Sequence, residues 1–341
     1  MRIYNLNLEQ LEDTLVSNGF KKYRALQVFE WLYKKKVTTF SKMTNIGNEL
    51  IEYLEKNYEI DILEIEKKNE STDGTVKLLY KLYDGNLIET VLMKHHYGLS
   101  VCITSQVGCN MGCQFCASGR LKKIRNLETS ELLAQVIKTS QILDADIKSV
   151  VVMGIGEPFD NFDSLVGFLK IINHPRGLAI GARHLSVSTC GIVPKILEFA
   201  DLNLQVNLAI SLHAPIDSKR SYLMPINNRY RISELMNALK RYIEITNRRV
   251  TIEYILIAGV NDTIEDAKEL VKILKGLNVY VNLIPYNEVK ELNFKRSSIE
   301  SRNKFYDILA KERIDVTLRR ETGNDIDAAC GQLRSKTQGG L

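Results

Sequence analysis

Apolar positions in the first sixty residues repeat at helical spacing. Leu8, Leu11 and Leu15 follow Asn7, whose side chain suits an N-cap. Ala25, Val28, Phe29 and Leu32 form a second stripe. Leu50, Ile51 and Leu54 form a third, with Asn45 as the expected cap. The pattern predicts a small helical module over residues 1–60 with a modest core of its own.

The period then changes. "TVKLLYKLYDGNLIETVLM", residues 75–93, carries two β-rich runs around Asp84-Gly85, which predicts a hairpin within a 61–94 extension. From residue 100 strands and helices alternate. Strand-like runs fall near 101–104, 148–153, 184–188, 206–211, 250–257 and 279–284, with helical stretches near 128–143, 162–172, 193–200, 232–246 and 263–275. A helix over 298–311 and a strand over 315–319 close the series. Six βα units predict an α/β fold, a partial (β/α)6 TIM-like barrel over 95–325. A doubly wound sheet usually carries a Gly-rich phosphate loop after its first strand, and here a cysteine cluster stands there instead. Residues 326–341 form a C-terminal loop, and "RSKTQGGL" at 334–341 reads as a frayed tail.

Composition narrows the class. With 45% hydrophobic and 26% charged residues the chain reads as globular, and no apolar run approaches a membrane span of about 20 residues. The opening Met1-Arg2-Ile3-Tyr4-Asn5 has no signal-peptide character, so a cytoplasmic location is expected, where clustered thiols bind metal or do catalysis. The net charge of +5 is mild, but its distribution is uneven. Lys34-Lys35-Lys36, the group Arg120, Lys122, Lys123 and Arg125, and the group Arg319, Arg320, Arg334 and Lys336 each suit a phosphate backbone or a solvated surface.

Four of six cysteines lie in "VCITSQVGCNMGCQFCASGR", residues 101–120. Cys109, Cys113 and Cys116 form CxxxCxxC; Cys102, seven residues upstream, reads as a ligand, a packing residue or a thiol with its own chemistry. A structural zinc needs a fourth ligand, and His95, His96, His174, His184 and His213 all stand outside any CxxH pattern. Three thiolates instead leave one iron of a [4Fe–4S] cube open to a small-molecule chelator.

CxxxCxxC after the first strand of a βα barrel, with Phe115 beside Cys116, resembles the radical S-adenosylmethionine superfamily. That resemblance implies Cys109, Cys113 and Cys116 as ligands of one [4Fe–4S] cluster, with S-adenosylmethionine on the open iron. "MGIGEP", residues 153–158, resembles the turn that meets the amino group of S-adenosylmethionine, which implies Gly156 and Glu157. Ser188, Ser211, Leu212, His213 and Asn287 end the third, fourth and sixth strands on the same rim, where a nucleoside ligand would lie.

The blocks "SQVGCNMGCQFCASG", "GIGEPFDN", "ARHLSVST", "ISLHAP", "LMPIN", "VNLIPYN" and "DIDAACGQL" together resemble the RlmN-type RNA methyltransferases. Cys190 departs from them, since a small residue such as serine is more usual there, and it reads as a small buried side chain. The resemblance implies methylation of carbon 2 of adenine in 23S rRNA (adenosine 2503) and in tRNA (adenosine 37). It implies Cys330 as an S-methyl carrier, a covalent protein–RNA intermediate, Cys102 as the thiol that resolves it, Glu89 as proton acceptor, and two S-adenosylmethionine molecules per turnover. Carbon 2 lies between two electronegative nitrogens, so a nucleophilic carbon radical suits it better than an electrophilic methyl. It further implies an electron donor such as flavodoxin or ferredoxin, a monomer, and recognition of RNA by shape through the N-terminal module. Two alternatives stand beside this reading: a Cfr-type methyltransferase acting on carbon 8, and a non-catalytic RNA-binding protein with an iron–sulfur cluster.

Overall fold

The computed structural model describes residues 1–60, 63–289, 291–319, 323–328 and 332. Cys330, Arg320, Arg334 and Lys336 therefore lie outside the described residues, as does the 334–341 tail.

The chain begins with α1 (Leu8–Ser17), α2 (Tyr23–Tyr33) and α3 (Asn48–Asn57). Asn7 caps α1 in a reciprocal box, accepting from Gln10 N–H at 2.8 Å while its own N–H donates to Gln10 Oε1 at 3.0 Å. Asn45 does not cap α3. Its side chain accepts from the Trp31 indole, and extended Gly47 starts the helix two residues later. The apolar stripes of α1 and α2 belong to one continuous core with the barrel helices, as Leu11, Val28 and Phe29 join Leu133 and Ile137. Polar contacts reinforce that seam: Asn5 Oδ1 accepts from Ser130 N–H at 2.8 Å, and Lys36 Nζ donates to Ser140 Oγ at 2.6 Å.

A meander follows: β1 (Glu64–Glu70), β2 (Val76–Lys81), β3 (Leu87–His95) and β4 (Gly98–Ile103), all antiparallel. The hairpin around Asp84-Gly85 is where the sequence predicts it. β1 was not predicted, because "EIEKKNE" has no apolar alternation; it is an exposed, charged edge held by pairing to β2. β4 starts three residues earlier than the periodicity predicts, so Cys102 sits toward its end, opposite Val91 and Val151.

After the short pair β5 (Gln106–Val107) and β6 (Arg125–Asn126), the units run α4 (Thr129–Ile142), β7 (Ile147–Val152), α5 (Phe162–Asn173), β8 (Leu185–Thr189), α6 (Val193–Asp201) and β9 (Asn207–Ser211). Then come α7 (Asp217–Leu223), α8 (Ile232–Thr246), β10 (Val250–Leu256), α9 (Ile264–Leu274), β11 (Val279–Pro285), α10 (Ile299–Lys311) and β12 (Asp315–Leu318). Among the described residues the large sheet runs β1-β2-β3-β4-β7-β8-β9-β10-β11-β12, parallel from β4 onward. Strand order equal to chain order, with helices between, is the open partial barrel expected from the βα repeat. The C-terminal strand ends therefore share one rim. Among the described residues no helix is long and apolar enough to cross a membrane.

Candidate functional site

Cys109, Cys113 and Cys116 occupy the loop after β5, against the rim. Backbone bonds shape this loop: Cys109 N–H donates to the Leu121 carbonyl at 2.9 Å, and Gln114 N–H to Leu223 at 2.9 Å. Gly119 closes it, since a Cβ there would stand 2.5 Å from the Cys113 carbonyl oxygen. All three thiols line one cavity of about 170 Å³, with Gly156, Glu157, Ser188, Ser211 and His213 on its other walls.

Gly156 is required by geometry. Its φ is +104°, and a Cβ would lie 2.6 Å from Gln106 Cβ and 2.8 Å from Ser105 Oγ. Glu157 is buried with both oxygens held, Oε1 by Phe159 N–H at 3.0 Å and Oε2 by Cys190 N–H at 2.8 Å. Burial raises its pKa, while Thr189 and those two amides oppose the rise.

His213 is fixed in a left-handed conformation (φ 56°), its Nδ1 accepting from Ile255 N–H at 3.1 Å. Burial, with Arg220 nearby, pushes its pKa down to about 3, so the ring is neutral and stacks edge-on against Phe115 at 4.9 Å. The Ser188 and Ser211 hydroxyls meet at 3.4 Å. Leu212 and Asn287 do not line the cavity. The Leu212 side chain is in the core and its N–H donates to the Glu253 carbonyl at 3.1 Å, while Asn287 is buried after β11.

Cys102 and Glu89 lie on the β3–β4 side. Cys102 packs with Val91, Met93, Ile155 and Ala328; Met153 touches this cluster and also lines the cysteine cavity. Glu89 is buried, with Oε1 3.4 Å from Lys77 Nζ. Lys77 Nζ also donates to the Asp327 carbonyl at 3.0 Å. Asp325 anchors the same segment, accepting from Ser71 Oγ at 2.6 Å and Thr72 N–H at 3.2 Å. Residues 325–328 are thus held against β2 and β4, two residues short of Cys330, which itself lies outside the described residues.

Several residues here went unnoticed in the sequence. Lys77 interrupts an apolar strand, a signal that was available. Glu253 and Arg220 gave none, because the register of β10 places the first and the packing of α7 the second. Glu253 is buried in the cavity wall, and burial raises its pKa against the opposing influence of Arg319. Arg319 itself belongs to this wall rather than to a free basic surface. The Arg120–Arg125 patch is also partly neutralised, through Lys123–Asp160 at 2.6 Å and Arg125 with Asp84 and Glu131 at 2.6 and 2.7 Å.

The donor set fits a cluster better than a single ion. Burial pushes the Cys109 thiol up to about 11 and raises that of Cys113 well above its ordinary value, with the neighbouring cysteines adding to both rises. Thiolates there need cationic charge. Among the described residues no three His, Cys, Asp or Glu side chains stand close enough to share one metal ion. A [4Fe–4S] cube spreads its thiolates over separate irons, which the three-cysteine cavity accommodates.

Comparison with known proteins agrees with this chemistry. Residues 103–274 match the family model described as the radical SAM superfamily, and residues 1–60 match that described as the ribosomal RNA large subunit methyltransferase N-terminal domain. A protein of Acholeplasma laidlawii named "Probable dual-specificity RNA methyltransferase RlmN" is 57% identical over 98% of this chain and 99% of its own length. A Spiroplasma citri protein of the same name is 54% identical, covering 99% and 98%. The crystal structure of a radical SAM methyltransferase from Sphaerobacter thermophilus superposes with a TM-score of 0.93 at 42% identity, covering 98% of this chain and 99% of that one.

Proposed function

Because this chain belongs to the RlmN dual-specificity RNA methyltransferases of the radical S-adenosylmethionine superfamily, we propose that it methylates carbon 2 of adenine in 23S rRNA and tRNA. Cys109, Cys113 and Cys116 would hold a [4Fe–4S] cluster, with an electron donor of the flavodoxin or ferredoxin type as partner. When bound together, the cluster and S-adenosylmethionine supply a carbon radical that can abstract hydrogen. Gly156 and Glu157 receive the amino group of S-adenosylmethionine, and Ser188, Ser211 and neutral His213 face its nucleoside.

Cys330 would carry the methyl group to the base on its sulfur, and two S-adenosylmethionine molecules would be used per turnover. Glu89 accepts the proton leaving carbon 2. Once the adduct has given up its unpaired electron to an electron acceptor, the Cys102 thiolate attacks the Cys330 sulfur, the carbon–sulfur bond breaks with its electron pair going to the methylene carbon, that carbon takes a proton, and the methylated RNA departs. The Cys102–Cys330 disulfide left behind is reduced by external thiols. The helical module (1–60) and the hairpin extension (61–94) hold folded RNA beside the barrel (95–325) and the catalytic loop (326–341), in a cytoplasmic monomer.

The observation that supports this reading is the apolar cluster that Cys102 and Ala328 share, together with Lys77 joining Glu89 to the Asp327 carbonyl. Cys102 and Glu89 thereby both border the segment 325–328 that leads toward Cys330 in sequence. Anaerobic reconstitution, turnover on an RNA fragment and mass spectrometry of its nucleosides test it. The expected product is 2-methyladenosine; 8-methyladenosine as sole product, or no S-methyl group on Cys330, overturns it.

A further inference from the structure

Arg220 in α7 is completely buried, and its guanidinium meets only uncharged oxygens. Nε donates to the Leu212 carbonyl at 3.2 Å and Nη1 to Asn227 Oδ1 at 3.0 Å. Nη2 donates to the carbonyls of Cys190 at 2.7 Å and Ser211 at 3.4 Å. Among the described residues no carboxylate pairs with it directly. Asp217 is reached only through Asn227, whose Nδ2 donates to Asp217 Oδ1 at 2.8 Å.

A cation buried without an ionic partner costs several kcal/mol, roughly, unless negative charge lies nearby. Arg220 puts its positive charge behind the cavity wall, because Cys190 and Ser211, whose carbonyls its Nη2 meets, both line the cavity of the three thiols. Its helix holds the cysteine loop through the Gln114–Leu223 backbone bond. His213, beside Arg220, is neutral and cannot substitute for that charge.

We infer that Arg220 is the buried counter-ion of the cluster held by Cys109, Cys113 and Cys116, and that its charge raises the cluster's reduction potential. A cube with three thiolates is already negative, and the one electron it gains on reduction makes it more so. A fixed cation in a low-dielectric wall therefore stabilises the reduced form more than the oxidised form. Arg220 acts through this field and touches no substrate. The inference rests on the proposed role of Cys113 as a ligand.

The test uses the reconstituted full chain, its Arg220→Met, Arg220→Lys and Asp217→Asn variants, and two readouts. These are iron and sulfide content, and the midpoint of one-electron reduction followed by EPR with dithionite as the electron source. Arg220→Met is expected to move the midpoint to more negative potential, and Arg220→Lys to leave it near that of the parent. Asp217→Asn keeps the Asn227 and Ile232 contacts through its remaining oxygen and removes one negative charge, so its midpoint moves the opposite way. A role confined to clamping the strand ends gives no such reversal of sign. An iron-replete Arg220→Met protein with an unchanged midpoint overturns the inference. If that variant does not fold, an unchanged midpoint in Asp217→Asn does so. A parent protein that takes up no iron–sulfur cluster overturns the ligand reading itself.

Discussion

The Lys77 ammonium stands 3.4 Å from the Glu89 carboxylate, with both side chains more than nine-tenths buried. The same ammonium donates to the carbonyl of Asp327, so one side chain joins the β2–β3 hairpin to the C-terminal segment. Lys77→Met removes one partner of a buried ion pair and is expected to destabilise the protein by about 3 kcal/mol. Urea unfolding checks this, with exposed Lys67→Met as the control, expected to change stability by less than about 0.5 kcal/mol.

Cys102 shares an apolar cluster with Ala328 of the C-terminal segment. If its thiol resolves the intermediate, Cys102→Ala accumulates RNA bound covalently to the protein, visible as a shifted band on a denaturing gel. A Cys102→Ala enzyme with full turnover and no adduct would remove Cys102 from the mechanism.

Gly156→Ala meets two obstacles together, a positive φ and a Cβ 2.6 Å from the root of the Gln106 side chain. The backbone strain alone costs of order 1–3 kcal/mol. Because Gln106 Oε1 also accepts from Glu157 N–H at 2.9 Å, relief of the clash displaces Glu157. We expect a lower melting temperature and at least a roughly tenfold loss of S-adenosylmethionine affinity by calorimetry, one decade being about 1.4 kcal/mol.

His213 makes stability depend on pH. Its folded pKa of about 3 lies below the ordinary histidine value, so between the two the unfolded chain binds more protons. Its contribution is complete above about pH 6.5 and is lost as pH falls toward 3. Between pH 7 and 5 the loss amounts to about 2 kcal/mol. His213→Asn, which tolerates the left-handed backbone, should flatten that part of the profile in chemical denaturation of the cluster-free protein.

Much of the fold was legible because its signals are local. The capping pair Asn7 and Gln10, the stripe from Ala25 to Leu32 and the turn at Asp84-Gly85 each act within a few residues. β1 leaves no such signal because an exposed edge strand needs no apolar alternation, and Asn45 does not cap α3 because Trp31, fourteen residues away, claims its side chain.

The chain by itself determined the barrel's βα order and the thiol loop, since hydrophobic period and cysteine spacing are properties of neighbouring residues. Tertiary structure decided which side chains share a space. Strand register sets Lys77 beside Glu89, and the packing of residues 326–328 brings the C-terminal segment to Cys102. The α7 contacts bury Arg220 behind the cysteine loop. Each of these depends on where distant backbone atoms come to rest, and spacing along the chain carries no record of that.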